Sequence, residues 1–213
     1  MNFSIVLVDA GTGNLRSVHK ALEAVGAQVV RTADPEVVRH GERLVLPGVG
    51  AFGDFMAGLR QSGLEAAVLE AVRRGAPLLG ICVGMQALFE IGEEMGVHHG
   101  LGLLPGRVVA FPPEIREQGL KIPHTGWNFV QWARPNPLSP GLEKGGYAYF
   151  NHSFYCAPAR SENIIAETDY SMRYASAVWH ENFLGVQFHP EKSQRFGLQV
   201  LKNFLRWQPC VSS

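Results

Sequence analysis

The stretch LLGICVGMQALFE, residues 78–90, decides how this chain is read. An apolar run reaches a single cysteine, Cys82, set between Gly80 and Gly84, and spacing of helical type follows. A strand, a tight turn and a helix in that order form the thiol counterpart of the G-x-S-x-G nucleophile elbow. The glycines suit such a corner, because a nucleophile at a tight turn has strained backbone angles and needs small neighbours where strand and helix approach. A helix starting after Cys82 would aim its positive end at the sulfur and favour thiolate. That help matters, since an unassisted thiol of pKa about 8.5 is only about 3% ionised at pH 7. Taken alone, the segment fits a buried structural cysteine before a helix equally well.

Upstream, short β-branched runs alternate with helical patterns. SIVLVDA (4–10) reads as a buried strand, and NLRSVHKALEAVGA (14–27) as an amphipathic helix closed by Gly26. QVVRT begins a second strand, and Asp34-Pro35 reads as an N-cap followed by proline at the first helical position. RLVLPGVGAF carries a third strand into a turn, residues 53–74 are helical, and APLLGI is a fourth strand ending at Cys82. This alternation predicts βαβ units and a mostly parallel central sheet flanked by helices.

Downstream the pattern changes to short strands, NFVQW, YAYFNHSFYC and NIIAETD, which predict additional antiparallel strands in the second half. A hairpin, YASAVWHENFLGVQFH, turns near Glu181-Asn182. SQRFGLQVLKNFLRW (193–207) reads as a helix capped by Ser193, with Phe196, Val200, Leu201 and Phe204 on one face. In sheets of this class reactive loops gather at the carboxyl ends of the strands. Pro47, Cys82 and His189 each end or follow a predicted strand, so they are expected to share one edge.

The chain's 213 residues, 46% hydrophobic and 18% charged, suit one α/β domain spanning residues 1–213. Lys plus Arg and Asp plus Glu are 19 each, without a basic stripe, so no nucleic-acid partner is expected. No apolar run is long enough for a bilayer, and MNFSIVLVDAG lacks signal-peptide features. Three scattered cysteines, Cys82, Cys156 and Cys210, make no disulfide framework and suit a reducing, cytoplasmic address.

A thiolate needs a base. His189, in GVQFHPEKS, ends a predicted strand that Pro190 stops, and Glu191 lies close enough to orient its imidazole. By itself the segment could equally be a solvated turn. The loop Pro47-Gly48-Val49-Gly50 could turn backbone N–H groups toward an oxyanion, although a Pro-Gly loop is usually only a turn. Gly11-Thr12-Gly13 lacks the third glycine of a dinucleotide fingerprint, because Arg16 stands there. His98-His99 lack metal-site spacing and read as a solvated loop, and Cys156, alternating with aromatics, reads as core. Neither cofactor nor metal is called for.

GICVGMQ, the later HPE and the PGVG loop together resemble the class I glutamine amidotransferases. DAGTGNLRSV, PGVGAFGD, KIPHTGWN and GVQFHPEKS resemble, more narrowly, the glutaminase subunits of imidazole glycerol phosphate synthases, from histidine biosynthesis. The matches run from residue 8 to residue 193. The resemblance implies a Cys82–His189–Glu191 triad that hydrolyses glutamine to glutamate and ammonia. It implies an oxyanion site at the N–H of Val83 and one from the Val49–Gly50 region. It also places Gln86, Glu94 and His152-Ser153-Phe154 around glutamine.

The family's ammonia passes to a cyclase subunit, a (β/α)₈ barrel, which Asn14, the PHTGWN loop with Trp127, and Lys192 are implied to face. The products implied are imidazole glycerol phosphate and aminoimidazole carboxamide ribonucleotide. A glutaminase nearly inactive without its partner is implied as well, with Gly48-Val49-Gly50 as the movable peptide. Departures from the family pattern stand at Ala10, Thr125 and Phe154, none of them in the triad. Another class I amidotransferase, a stand-alone γ-glutamyl hydrolase and a catalytically silent scaffold are the competing readings.

Overall fold

In the computed structural model, which describes residues 3–209, the expected alternation builds the first half of the chain. The order is β1 (Phe3–Val8), α1 (Leu15–Ala24), β2 (Ala27–Thr32), α2 (Pro35–Arg39) and β3 (Leu44–Gly48), then α3 (Phe52–Gln61), α4 (Leu64–Arg73) and β4 (Leu78–Cys82). Asp34 caps α2, its carboxylate accepting the Glu36 N–H at 2.9 Å, with Pro35 at the first helical position as predicted. The helix expected over 53–74 is two helices, because Gly63 takes φ +73° between them. Cys210 lies outside the described residues.

The second half runs α5 (Val83–Gln86), β5 (Phe89–Gly92), β6 (His98–His99), β7 (Leu104–Ala110), α6 (Glu114–Glu117), β8 (His124–Trp132), β9 (Gly146–His152) and β10 (Phe154–Pro158). It ends with β11 (Ile164–Asp169), β12 (Arg173–His180), β13 (Phe183–Val186) and α7 (Gln194–Arg206). Three expectations are corrected. The helical spacing after Cys82 lasts one turn and gives way to β5. YAYFNHSFYC is two strands, parted at Ser153. The PHTGWN segment is not a loop but, from His124, the start of β8, paired antiparallel with β9.

Strands β2, β1, β3, β4 and β13 lie side by side in that order, each parallel to its neighbours. From β13 the sheet turns antiparallel at the predicted hairpin, where Glu181 has φ +45°. It then continues through β12 to β10, β7, β5 and β6, while β11, β8 and β9 form an arm beside β12. Registers matter for function: Gly48 pairs with Cys82 and Val186 with Ile81. The PGVG loop, the cysteine corner and the chain leading to His189 therefore leave the sheet at one carboxyl edge.

The inner parallel strands are buried on both faces, with Ile5, Leu7, Leu44, Leu46, Leu78 and Leu79 all inaccessible to solvent, whereas the edge strand β2 is largely exposed. On α7 the predicted face, Phe196, Val200, Leu201 and Phe204, is buried, at about 1.5–3 kcal/mol for each large side chain. Arg43 pins the end of that helix, donating to the carbonyls of Phe204 (2.8 Å) and Trp207 (2.7 Å). Burial pushes its guanidinium pKa down to about 10. No helix of the described residues is long and apolar enough to cross a membrane.

Candidate active site

The cysteine corner is strained. Cys82 has φ 57° and ψ −113°, a conformation costing about 1–3 kcal/mol in a non-glycine residue. Close packing explains its glycines. A Cβ on Gly84 would fall on the carbonyl oxygen of Leu46, and one on Gly80 on the carbonyl of Gly84. A Cβ on Gly48 would lie 2.7 Å from the Phe55 ring and 3.0 Å from the Gly84 nitrogen. Three backbones thus meet around a thiol that is 3% exposed. Since α5 is a single turn, its help to the sulfur comes from unpaired first-turn N–H groups more than from a long macrodipole.

His189 follows β13, and its Nδ1 lies 3.0 Å from Glu191 Oε1. Both side chains are buried, and the second carboxylate oxygen has no hydrogen-bond partner among the described residues, where the imidazole is this carboxylate's polar contact. Burial alone would lower the imidazole's pKa, but the neighbouring Cys82 sulfur and Glu191 carboxylate outweigh it and raise the pKa to about 10. Ser193 does not cap α7. Its hydroxyl donates to the His189 carbonyl (2.6 Å) and accepts from the Tyr149 N–H (3.0 Å), fastening the histidine turn to β9.

A cavity of about 250 Å³ opens at this edge. Cys82, Val83 and His189 line it on the thiol side, with Val49 and Gly50 beside them. Gln86, Glu94 and the His152-Ser153-Phe154 segment form the rest, together with Lys192. Glu94 also accepts the Phe52 N–H at 2.7 Å, tying the cavity wall to the start of α3 just after the glycine loop. Gly50 takes φ +93° and has open space around its Cα, whereas Gly48 is wedged by packing. Freedom in the loop therefore resides at Val49–Gly50 rather than at Gly48.

Trp127, Asn14 and Glu191 do not line the cavity. Trp127 is 48% exposed and packs edge-on against Tyr149, whose ring also receives the Lys192 ammonium. Asn14 precedes α1, which packs beside the Pro190–Lys192 turn. Of the three residues assigned to a partner, Lys192 lines the cavity, Trp127 meets Lys192 through the Tyr149 ring, and Asn14 precedes the helix that packs on the turn carrying Lys192. Pro123 and Asn151 line the cavity without having been singled out, although Pro123 belongs to the KIPHTGWN motif.

Sequence reasoning also missed the polar groups behind the wall. Gln187, fully buried, donates through Nε2 to Cys82 Sγ at 3.8 Å, and Gln86 Nε2 donates to Gln187 Oε1 (3.2 Å) and to the Phe154 carbonyl (3.1 Å). Burial holds the His124 and His152 pKa values down to about 4 and 3, so both rings are neutral at pH 7. Cys156 is buried, as expected, and its thiol is pushed up by desolvation. His98-His99 form the short β6 rather than a loop, and no cluster of potential metal ligands occurs among the described residues.

The arrangement can carry nucleophilic acyl chemistry, with a thiol, an imidazole held cationic and a buried carboxylate behind it. A model of the glutamine amidotransferase class-I family matches residues 6–207. The imidazole glycerol phosphate synthase subunit HisH of Syntrophotalea carbinolica is 50% identical over 94% of this chain and 98% of its own. The HisH subunit of Geobacter metallireducens is 47% identical over 94% and 97%. Among solved structures, that of PurLQS from Thermotoga maritima superposes with a TM-score of 0.75 at 21% identity, covering 96% of this chain and 97% of that one. This last likeness speaks for the fold alone.

Proposed function

The chain belongs to the class I glutamine amidotransferases and, among them, to the family of imidazole glycerol phosphate synthase subunits HisH; from this premise we propose that it hydrolyses glutamine for that synthase through a Cys82–His189–Glu191 triad. The observation that carries the reading is the convergence, from the ends of separate strands, of Cys82 and His189 on one small cavity, with Glu191 holding the imidazole from behind.

Cys82 Sγ attacks the side-chain amide carbon of glutamine. The oxygen that becomes negative is received by the Val83 N–H and by one from Val49–Gly50, each such donor contributing about 3–4 kcal/mol. His189 gives its proton to the departing nitrogen, releasing ammonia and leaving a γ-glutamyl thioester. It then takes a proton from water, which attacks the thioester and frees glutamate. Glu191 holds the imidazole in place and stabilises its charged form. Glu94 pairs with the substrate ammonium, and backbone near Ser153 holds its carboxylate.

Ammonia passes to a cyclase subunit with a (β/α)₈ barrel, in the cytoplasm, where imidazole glycerol phosphate and aminoimidazole carboxamide ribonucleotide are made. Asn14, Trp127 and Lys192 face that partner. A dry passage serves the chemistry, because ammonium cannot attack. The subunit alone is nearly inactive, with the open Val49–Gly50 peptide turning its N–H inward when the partner's nucleotide binds.

Glutamate release is measured for the protein alone, with the cyclase, and with cyclase and its nucleotide ligand, with Cys82→Ala in parallel. Activity only in the full mixture, abolished in the variant, is expected. Equal activity in all three would instead indicate a stand-alone γ-glutamyl hydrolase, and activity with another acceptor subunit a different amidotransferase. Full glutamine-dependent synthesis by Cys82→Ala would mean a scaffold.

A further inference from the structure

At the cavity wall and behind it lies a buried polar cluster, reaching the cavity through His152, whose side chains take part in no chemical step of the proposed reaction. His124 opens β8, the strand that carries Trp127, and His152 ends β9. Between them stands the phenol of Tyr174 on β12, 3% exposed. Its oxygen lies 3.1 Å from His124 Nδ1 and 3.3 Å from His152 Nε2. His152 Nδ1 is 2.8 Å from the Phe154 carbonyl, and Asn128 Nδ2 is 3.4 Å from His124 Nε2. Rings of Phe111, Phe150 and Tyr170 surround the group. Two neutral histidines and a phenol are a costly filling for such a space unless each donor meets an acceptor.

The hydrogens can be assigned from the ends. The Phe154 carbonyl can only accept, so His152 Nδ1 carries the hydrogen and its Nε2 is an acceptor. Tyr174 must then donate to His152 Nε2. The phenol has one hydrogen, so toward His124 it accepts, which puts the His124 hydrogen on Nδ1. His124 Nε2 is left as an acceptor for Asn128, whose other amide hydrogen goes to the Asp169 carbonyl at 2.8 Å. The chain runs in one direction without a mismatch. At Phe154 it meets the second set, in which Gln86 donates to the same carbonyl and, through Gln187, reaches the Cys82 sulfur. Beside the phenol stand Tyr170 and the Thr168 hydroxyl, which is buried and has no hydrogen-bond partner among the described residues.

We propose that Tyr174 is a positioning residue for glutamine turnover: its hydroxyl joins the rim strand β8 to the glutamine wall at His152–Phe154, and with it to the hydrogen bonds that end at Cys82. Phenylalanine would fill the same space but break the chain at its centre. His152 Nε2 would lose its donor, so the ring would be held only through Nδ1 at the Phe154 carbonyl and that wall would be less firmly placed. The wall would then be ordered only when glutamine binds, so the loss falls on substrate affinity before it falls on the chemical step. The inference rests on the glutaminase reading above.

The test is glutamine-dependent turnover by the complete complex, with cyclase and its nucleotide ligand, for Tyr174→Phe. Loss of one hydrogen bond predicts a KM for glutamine raised about tenfold with kcat changed less than about threefold. Tyr155→Phe, which removes a hydroxyl from the same aromatic cluster but not from the chain, leaves both constants unchanged. A purely structural role would instead lower the melting temperature and the active fraction at unchanged KM. His124→Phe keeps the stacking on Tyr170 and Phe150 and carries the test if Tyr174→Phe does not fold. Its KM rises less, about threefold, and the double variant is no worse than Tyr174→Phe alone. An unchanged KM in whichever of these variants folds overturns the proposal. Cys82→Ala and synthesis from added ammonia run alongside: glutamine-dependent activity surviving in Cys82→Ala would defeat the glutaminase reading itself, a separate failure.

Discussion

Replacing Glu191 with glutamine removes one charge and little else. The side chain is 1% exposed, its Oε1 is 3.0 Å from His189 Nδ1, and its other oxygen has no partner among the described residues. An amide in that place keeps an acceptor for the imidazole but no longer stabilises its positive form. Two unit charges about 4 Å apart attract by about 4 kcal/mol at the effective dielectric of about 20 that suits protein sites. At about 1.4 kcal/mol per decade, that is worth up to about a thousandfold in the population or stability of the imidazolium. Part is recovered by the remaining amide dipole, so kcat is expected to fall about 10²- to 10³-fold. His189 is held up to about 10 by Cys82 and Glu191 against burial, and losing Glu191 moves that pKa down, so the alkaline limb of the rate profile shifts to lower pH. The assay is glutamate release by the full complex across pH, with synthesis from added ammonia as the control for assembly. A variant within about tenfold of the parent and with the same alkaline limb would refute the electrostatic role given to Glu191.

Gly84→Ala places a methyl group on the Leu46 carbonyl and is expected to cost at least the about 1–3 kcal/mol of an overpacked core, read as a lowered urea midpoint. Arg43→Met keeps most of the volume but takes the guanidinium from the Trp207 carbonyl and leaves the Phe204 carbonyl only the Trp207 N–H, and about 2–3 kcal/mol of stability should be lost in the same measurement. The neutral His124 and His152 have pKa values below those of the unfolded chain, which therefore binds more protons as pH falls below about 6.5. Stability should drop from there toward pH 4, by about 1.4 kcal/mol per pH unit for each ring, and His124→Phe should lose its share of that slope in pH-dependent unfolding.

Much of the site was legible because its parts are local in sequence. GICVG announces a corner whose glycines are demanded by close backbone approach, and HPE places imidazole and carboxylate two residues apart. The parallel pairing of β4 with β3 follows from the alternation of strands and helices, whereas the parallel pairing of β4 with β13, one arm of a hairpin in the second half, does not. Other features were hidden for physical reasons. The helical spacing after Cys82 stops after one turn because Phe89–Gly92 pairs with β7 and β6, a tertiary choice that overrides local pattern. Ser193 looked like a cap, but its hydroxyl is taken by β9 and the His189 carbonyl. Tyr174 and His124 occur in strands, where alternation shows only which face is buried, and Gln187 lies directly after one. Their partners lie far away in sequence, Gln187 to Cys82 and His124 to Tyr174, and no short motif marks such pairs.

The claim on which everything else turns is that Cys82 carries the γ-glutamyl group. The complete complex, turning over glutamine, is quenched in acid and its peptides are weighed. A mass increment of one γ-glutamyl group on the peptide containing Cys82, absent in Cys82→Ala, is the predicted result. An acyl group found on another residue, or full glutamine-dependent turnover by Cys82→Ala, would contradict the account.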